Sequence, residues 1–333
     1  MVAGLVAGAA PALAAPVFVN DETSVNPYGG ASTFNVAGGA GCAAGQTGFQ
    51  GPSVALIENG PAVTASVSGS GSFSANDPDD TATGQASATG TGKITSKGGN
   101  LDSLDLKVDS RAKLTGALPT SSCARNVRAG LDLNFTFTIT QPGFLITTLA
   151  NRGLVGYGEI YVYRSVLGES THPYIDSYSE GMTHTVSQKT FLPAGTYSGY
   201  FEGQSGVNSQ ASYDGKSVFT AHGQFNVAGS RISAVKGPAK RYVTMPTKRS
   251  CAAHTVSPKI TSNKSRAKTI KTVKFIVNGK VVKTVKAPKK GKAVALRLGD
   301  EATANVRAVV KAVPKQGKPA KTYTVSTDYE ACL

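Results

Sequence analysis

Leu131, Leu133, Phe135, Phe137 and Ile139 alternate with Asp132, Asn134, Thr136 and Thr138. A period of two predicts a strand with one buried face. Leu104, Leu106 and Val108 repeat it against Asp105, Lys107 and Asp109. Residues 63–73 set small or apolar side chains against hydroxyls, and residues 81–94 do so again after a turn over Asn76-Asp-Pro-Asp-Asp80. The pair predicts a long hairpin with a Ser/Thr face and a small-residue face that another sheet can approach closely. Further strands are expected over residues 156–164, 193–201 and 219–227. No helical periodicity stands out, so the expected class is all-β, with antiparallel strands stacked as a β-sandwich.

A second set of strands follows. Residues 272–285 form two strands around Asn278-Gly279, a pair suited to a type I′ turn because both central residues need positive φ. Strand patterns continue over 293–298, 304–313 and 323–327. Residues 231–250 hold two prolines and little apolar periodicity, which marks a linker. The expected plan is a signal-peptide remnant at 1–15, a sandwich at 16–230, a linker at 231–250 and a small immunoglobulin-like sandwich at 251–333.

Charge sharpens that division. Residues 1–240 carry 14 basic and 16 acidic side chains, and residues 241–333 carry 21 and 4. The excess of +15 therefore comes from the second region, an asymmetry that points to an anionic partner. With 38 glycines, no tryptophan and 17% charged residues, the composition suits a turn-rich β chain.

The opening residues MVAGLVAGAAPALAAPVF give a short apolar run and a small-x-small site at Ala12-Leu13-Ala14. The basic segment that should precede such a run is missing, so the expectation is a true start further upstream. No run approaches the roughly 20 apolar residues of a membrane-spanning helix. The four cysteines are Cys42, Cys123, Cys251 and Cys332. Three pairings are open. Cys42 with Cys123 and Cys251 with Cys332 keeps each pair within one compositional region. Loops of that length stabilise by about 4 kcal/mol in the chain-entropy model. Secretion, to an extracellular or cell-surface location, is the expectation.

Cys251, the segment VKFIVNGKVVKTV, the basic turn KAPKKGK, the strand ANVRAVVKA and the ending TYTVSTDYEAC together resemble the Cys-bracketed, Lys/Arg-rich Ig-like module at the C-terminus of secreted Gram-positive proteins. The resemblance covers about residues 251–333. It implies an export context, a disulfide between the end strands and a non-catalytic role. It departs from antibody-type domains in lacking tryptophan and in placing its cysteines at the ends.

Catalytic motifs are absent: there is no Gly-x-Ser-x-Gly, His-Glu-x-x-His, P-loop or dinucleotide fingerprint. His184 shares a register with Met182 and Val186 and is expected to be partly buried. His222 should face outward, His172 falls in a loop, and His254 lies near Cys251. No enzyme activity, cofactor or metal is expected. Asn76, Asp77, Asp79 and Asp80 match no established calcium loop and read as a solvated turn. The row Thr81, Thr83, Thr89 and Thr91 reads as a solvent face.

Two features carry the functional expectation. The first is a tyrosine-rich region, where Tyr157, Glu159, Tyr161 and Tyr163 share one strand face. Asp176, Glu180, Glu202, Tyr174, Tyr178, Tyr197 and Tyr200 lie nearby in sequence. Carboxylates among aromatic rings suit glycan binding. The second is the basic hairpin and turn, with Lys283, Lys286, Lys289, Lys290 and Lys292. Residues 241–333 hold 16 lysines and 5 arginines, which suits diffuse attraction to polyanions such as teichoic acids or phospholipid headgroups. Between Lys259 and Lys321 the only aromatic is Phe275, which argues against base stacking and so against nucleic acid. The leading reading is a secreted, non-catalytic protein held near an anionic wall or surface polymer by its basic module. The second is a carbohydrate-binding protein using the tyrosine face. Oligomeric state stays open.

Overall fold

In a computed structural model the described residues are 17–19, 23–35, 47–74, 81–116, 123–153, 156–164, 174–179, 184–209, 212–299, 302–313 and 318–332. The signal-peptide remnant at 1–15, Cys42, the turn at 76–80 and His172 lie outside them, as does the side chain of Cys123. The chain divides into two compact units. The first comprises 1–140, 146–190 and 194–225, and the second 141–145, 191–193 and 226–333.

The first unit is built from β1 (Ser24–Asn35), β2 (Thr47–Gln50), β3 (Val54–Ala55), β4 (Val63–Ser74), β5 (Thr81–Lys97), β6 (Asn100–Thr115), β7 (Cys123–Ile139), β8 (Gly143–Gly153), β9 (Gly156–Arg164), β10 (Tyr174–Ser179), β11 (His184–Leu192), β12 (Gly195–Ser209) and β13 (Tyr213–Val227). A seven-stranded sheet runs β10-β9-β12-β7-β1-β2, with β3 also on β1, and a six-stranded sheet runs β11-β8-β13-β6-β5-β4.

Alternation dictates the core. On β7, Val127, Ala129, Leu131, Leu133, Phe135, Phe137 and Ile139 are all buried, and on β6 so are Leu104, Leu106, Val108, Ala112 and Leu114. The expected hairpin is β4 on β5, registered from Val63 opposite Gly92 to Ser74 opposite Thr81. Its small face turns inward as expected. A Cβ at Gly90 would strike Leu131, and one at Gly92 would strike Val25, so the glycines let the two sheets close. Thr83, Thr89 and Thr91 face solvent. The next turn, Gly98-Gly99, holds both residues at positive φ, 60° and 73°, between the paired residues Lys97 and Asn100.

The second unit adds β14 (Val243–Thr244), β15 (Thr255–Val256), β16 (Lys259–Ile260), the helix α1 (Lys264–Thr269), β17 (Ile270–Val277), β18 (Lys280–Lys286), β19 (Leu296–Arg297), β20 (Ala304–Ala312) and β21 (Lys321–Tyr329). Its main sheet runs β18-β17-β20-β21. Two short ribbons, β14-β16 and β15-β19, complete it. Val273, Phe275, Val306, Ala308, Val310, Val325 and Tyr329 share one buried core with Val243, Val256, Ile260, Val294, Leu296 and Leu298. Asn278-Gly279 forms the predicted turn, at φ 47° and 81°. Cys251 and Cys332 form a disulfide across a separation of 81 residues, which supports an oxidising, extracellular environment.

Two expectations need correction. Residues 231–250 do not act as a linker. Arg231 bridges to Tyr329 and Lys236 to Ser326, and Ala239, Tyr242, Val243 and Met245 are buried. The Arg241 guanidinium lies 4.9 Å from the Tyr242 ring centroid and 4.7 Å from that of Tyr323. This stretch packs as a 3-10 turn and a two-residue strand, so its apolar side chains are buried singly and no period develops. A helix is also present. The Asn263 side chain accepts a hydrogen bond from the Arg266 N–H at 2.9 Å and caps α1. Six residues with one buried side chain, Ala267, leave no helical stripe to read. Among the described residues no helix is long and apolar enough to cross a membrane.

Candidate functional site

The outer face of the seven-stranded sheet gathers the tyrosine-rich residues. On β9, Gly158, Ile160 and Val162 turn inward, which puts Tyr157, Glu159, Tyr161 and Tyr163 outward on one face, as expected. Strand register then builds a row across the sheet. Glu159 lies opposite Glu202 on β12, Glu202 opposite Asp132 on β7, and Asp132 opposite Asn26 on β1. The backbone register carries the row to Asp176 on β10. Tyrosines border it on both sides. Tyr157 pairs with Gln204 on one side, and Tyr161 pairs with Tyr200 on the other.

The carboxylates are held by phenols. Tyr157 donates its hydroxyl to Glu159 Oε2 at 2.6 Å and Tyr200 donates to Glu159 Oε1 at 2.8 Å. Tyr28 on β1 reaches across β7 and donates to Glu202 Oε1. Gly130, facing Tyr28 in the register, makes that reach possible, since a Cβ there would meet the Tyr28 hydroxyl at 2.6 Å. Tyr161 packs against Tyr163 and Tyr200 with ring centroids 5.5 and 5.6 Å apart.

Burial, with crowding of like charges second, perturbs the row. Burial first, then the Glu202 and Glu159 charges, push the Asp132 carboxyl up to about 7. Burial also raises Glu202, against the hydrogen bond from Tyr28, which lowers it. Burial and the Glu202 charge hold the Tyr28 phenol protonated far above its ordinary range. Asp132 Oδ1 and Gln204 Oε1 are buried with no hydrogen-bond partner among the described residues. A depression of about 380 Å³ continues the face beyond Tyr28, with Thr47, Asn126 and Arg128 in its lining. Among the described residues no group of three or more His, Cys, Asp and Glu is arranged to hold a metal ion. The carboxylates stand side by side along the row and do not converge on a point.

Several sequence candidates fall elsewhere. Tyr197 is fully buried and stacks on Phe137, with centroids 5.8 Å apart, because the odd positions of β12 face inward. Glu180 lies outside the described residues. His184 is exposed where partial burial was expected, because the β11 stretch around it is itself mostly exposed. His222 faces outward as expected, its Nδ1 2.6 Å from Asp105 Oδ1. Tyr28 and Asp132 escaped sequence reasoning. The alternation of β7 already turns Asp132 outward, but only the strand order sets it beside Glu202.

The basic candidates lie in the second unit. Lys283 and Lys286 are exposed on β18, the edge strand of its sheet, and Lys289, Lys290 and Lys292 are exposed on the turn that follows. Lys289 and Lys290 are brought together with Lys264 and Lys268 around one groove, which Lys283, Lys286 and Lys292 do not line.

No family model matches the chain, and no curated protein matches it. Among solved structures it is similar to the adhesin domain of Epf from Streptococcus pyogenes, at 10% identity over 76% of this chain and 81% of that one, with a TM-score of 0.20. It is also similar to the glycoside hydrolase domain of Endo-D from Streptococcus pneumoniae R6, at 9% identity over 69% of this chain and 34% of that one, with a TM-score of 0.18.

Proposed function

We propose that the protein is an extracellular, non-catalytic binding protein whose first unit takes a neutral glycan on the outer face of its seven-stranded sheet. The observation that carries this reading is the row Asp132, Glu202 and Glu159, set between tyrosines on an open face. Carboxylates accept hydrogen bonds from neighbouring sugar hydroxyls, and tyrosine rings offer flat apolar area to the C–H faces of a sugar. A row of negative charge disfavours polyanions, which selects a neutral ligand. Glycoside hydrolysis needs two carboxyl groups flanking the scissile bond, whereas these three stand along one surface, with Glu159 and Glu202 engaged by phenols. The test is calorimetric titration of the full chain with a panel of neutral oligosaccharides. A binder should weaken tenfold or more, about 1.4 kcal/mol, in Tyr161→Ala/Tyr163→Ala, with unchanged thermal unfolding. The reading is abandoned if no neutral oligosaccharide binds at millimolar concentration.

A second reading concerns the second unit. It carries 24 basic and 4 acidic side chains, a net +20. The ion pairs among the described residues, Lys107 with Asp109, Arg111 with Asp214 and His222 with Asp105, all belong to the first unit. The described lysines of the second unit are exposed, which supports retention of the protein on an anionic wall or surface polymer.

A further inference from the structure

We infer that the groove between α1 and the turn after β18 is a binding site for a phosphodiester-linked polyol chain, an inference that rests on the second reading above. Lys264 and Lys268 stand on one wall, and Lys289 and Lys290 on the other, around a cavity of about 420 Å³. Between them lies an apolar floor of Ala267, Ile270, Ala287 and Pro288. Ala267, Ile270 and Pro288 are buried, while all four lysines are exposed.

The groove is held in shape from both sides. The Ala287 N–H donates to Lys271 O at 2.8 Å, and the Gly291 N–H donates to Thr261 O at 3.2 Å. Ala287 sits at φ 36°, a left-handed conformation that a non-glycine residue adopts only where its surroundings impose it. The turn is therefore fixed to the segments on either side of α1, with Pro288 set into the floor.

The lining selects the ligand. Four ammonium groups around one concavity repel one another, and no carboxylate lines the groove to offset them. Lysine offers a compact point charge, suited to successive singly charged phosphates, where a planar dianion would call for the guanidinium fork. No aromatic ring lines the groove, so bases would find nothing to stack on. The apolar floor matches the carbon atoms of a polyol between its phosphates. Isolated lysines on a convex surface would be ordinary solvated charge. Here they flank a concave apolar floor from two separate elements.

The experiment measures binding of the full chain to a synthetic glycerol phosphate oligomer at low salt. Two double variants are compared, Lys268→Gln/Lys289→Gln in the groove and Lys236→Gln/Lys280→Gln away from it, beside the middle of β21 and at the far end of β18, with thermal unfolding as the fold control. The groove pair should weaken binding tenfold or more and the distant pair less than threefold. Equal losses would overturn the groove while leaving diffuse attraction standing. No binding of the oligomer, of single-stranded DNA or of phosphatidylglycerol vesicles by the unaltered protein would remove the second reading as well. Groove-dependent binding of DNA or vesicles as tight as that of the oligomer would overturn the ligand class assigned here.

Discussion

Asp132 illustrates how a single residue on a strand acquires its chemistry from neighbours distant in sequence. Its ordinary carboxyl value is 3.8, and in the fold it rises to about 7 through burial beside Glu202 and Glu159. Between those values the folded chain binds more protons than the unfolded chain, so stability falls as pH rises across that window. Arg128 on the same strand acts on the neighbouring groups instead, lowering both Glu202 and Tyr28. Removing the charge with Asp132→Asn should leave stability near pH 4 unchanged. It should raise stability at pH 8 by roughly 1–2 kcal/mol, the full shift being reduced by solvent screening. Urea unfolding of both proteins at the two pH values reads this directly, and equal midpoints at pH 8 would refute the raised Asp132 carboxyl.

At the scale of elements, β9 and β12 carry the site because small residues beneath it let the sandwich close. Gly158 and Gly203 face each other in the register, immediately beside the Glu159 and Glu202 pair, and the Phe219 ring of β13 lies against both. A methyl group at position 158 has no room. Gly158→Ala should cost about 1–3 kcal/mol through overpacking. The combination with Phe219→Leu should cost less than the two single changes added together, because the residues compete for one space. Additive losses in thermal unfolding would show that they do not. The strands themselves were legible from period two: β4, β5, β6 and β7 fall where alternation puts them. Elements without a period were not legible. Residues 231–250 and α1 bury their apolar side chains one at a time, and nothing in their local pattern separates such a segment from a loop.

For the whole molecule the dominant property is its division of charge. The first unit holds 11 basic and 16 acidic residues, the second 24 and 4, so the units differ in sign. An attraction between exposed charges is screened within about 10 Å at 0.1 M salt. Retention of the full chain on purified anionic cell walls should therefore be strong at roughly 50 mM salt and largely lost at roughly 500 mM. Binding of a neutral glycan to the first unit should hardly change across the same series. Cosedimentation measures the first quantity, and salt-insensitive retention would rule out electrostatic attachment.

The sequence alone determined the all-β class, the turn at Asn278-Gly279, the outward face of Tyr157, Glu159, Tyr161 and Tyr163, and the concentration of positive charge. Each of these follows from composition or from the local geometry of a strand, in which side chains alternate whatever lies beside them. Tertiary structure decided the rest. Strand order set Asp132 beside Glu202 and brought Tyr28 across Gly130. The same long-range packing folded residues 231–250 into the second core and placed Lys264 and Lys268 opposite Lys289 and Lys290. Contacts of this kind depend on which segments become neighbours, and a one-dimensional pattern of polar and apolar positions does not carry that information.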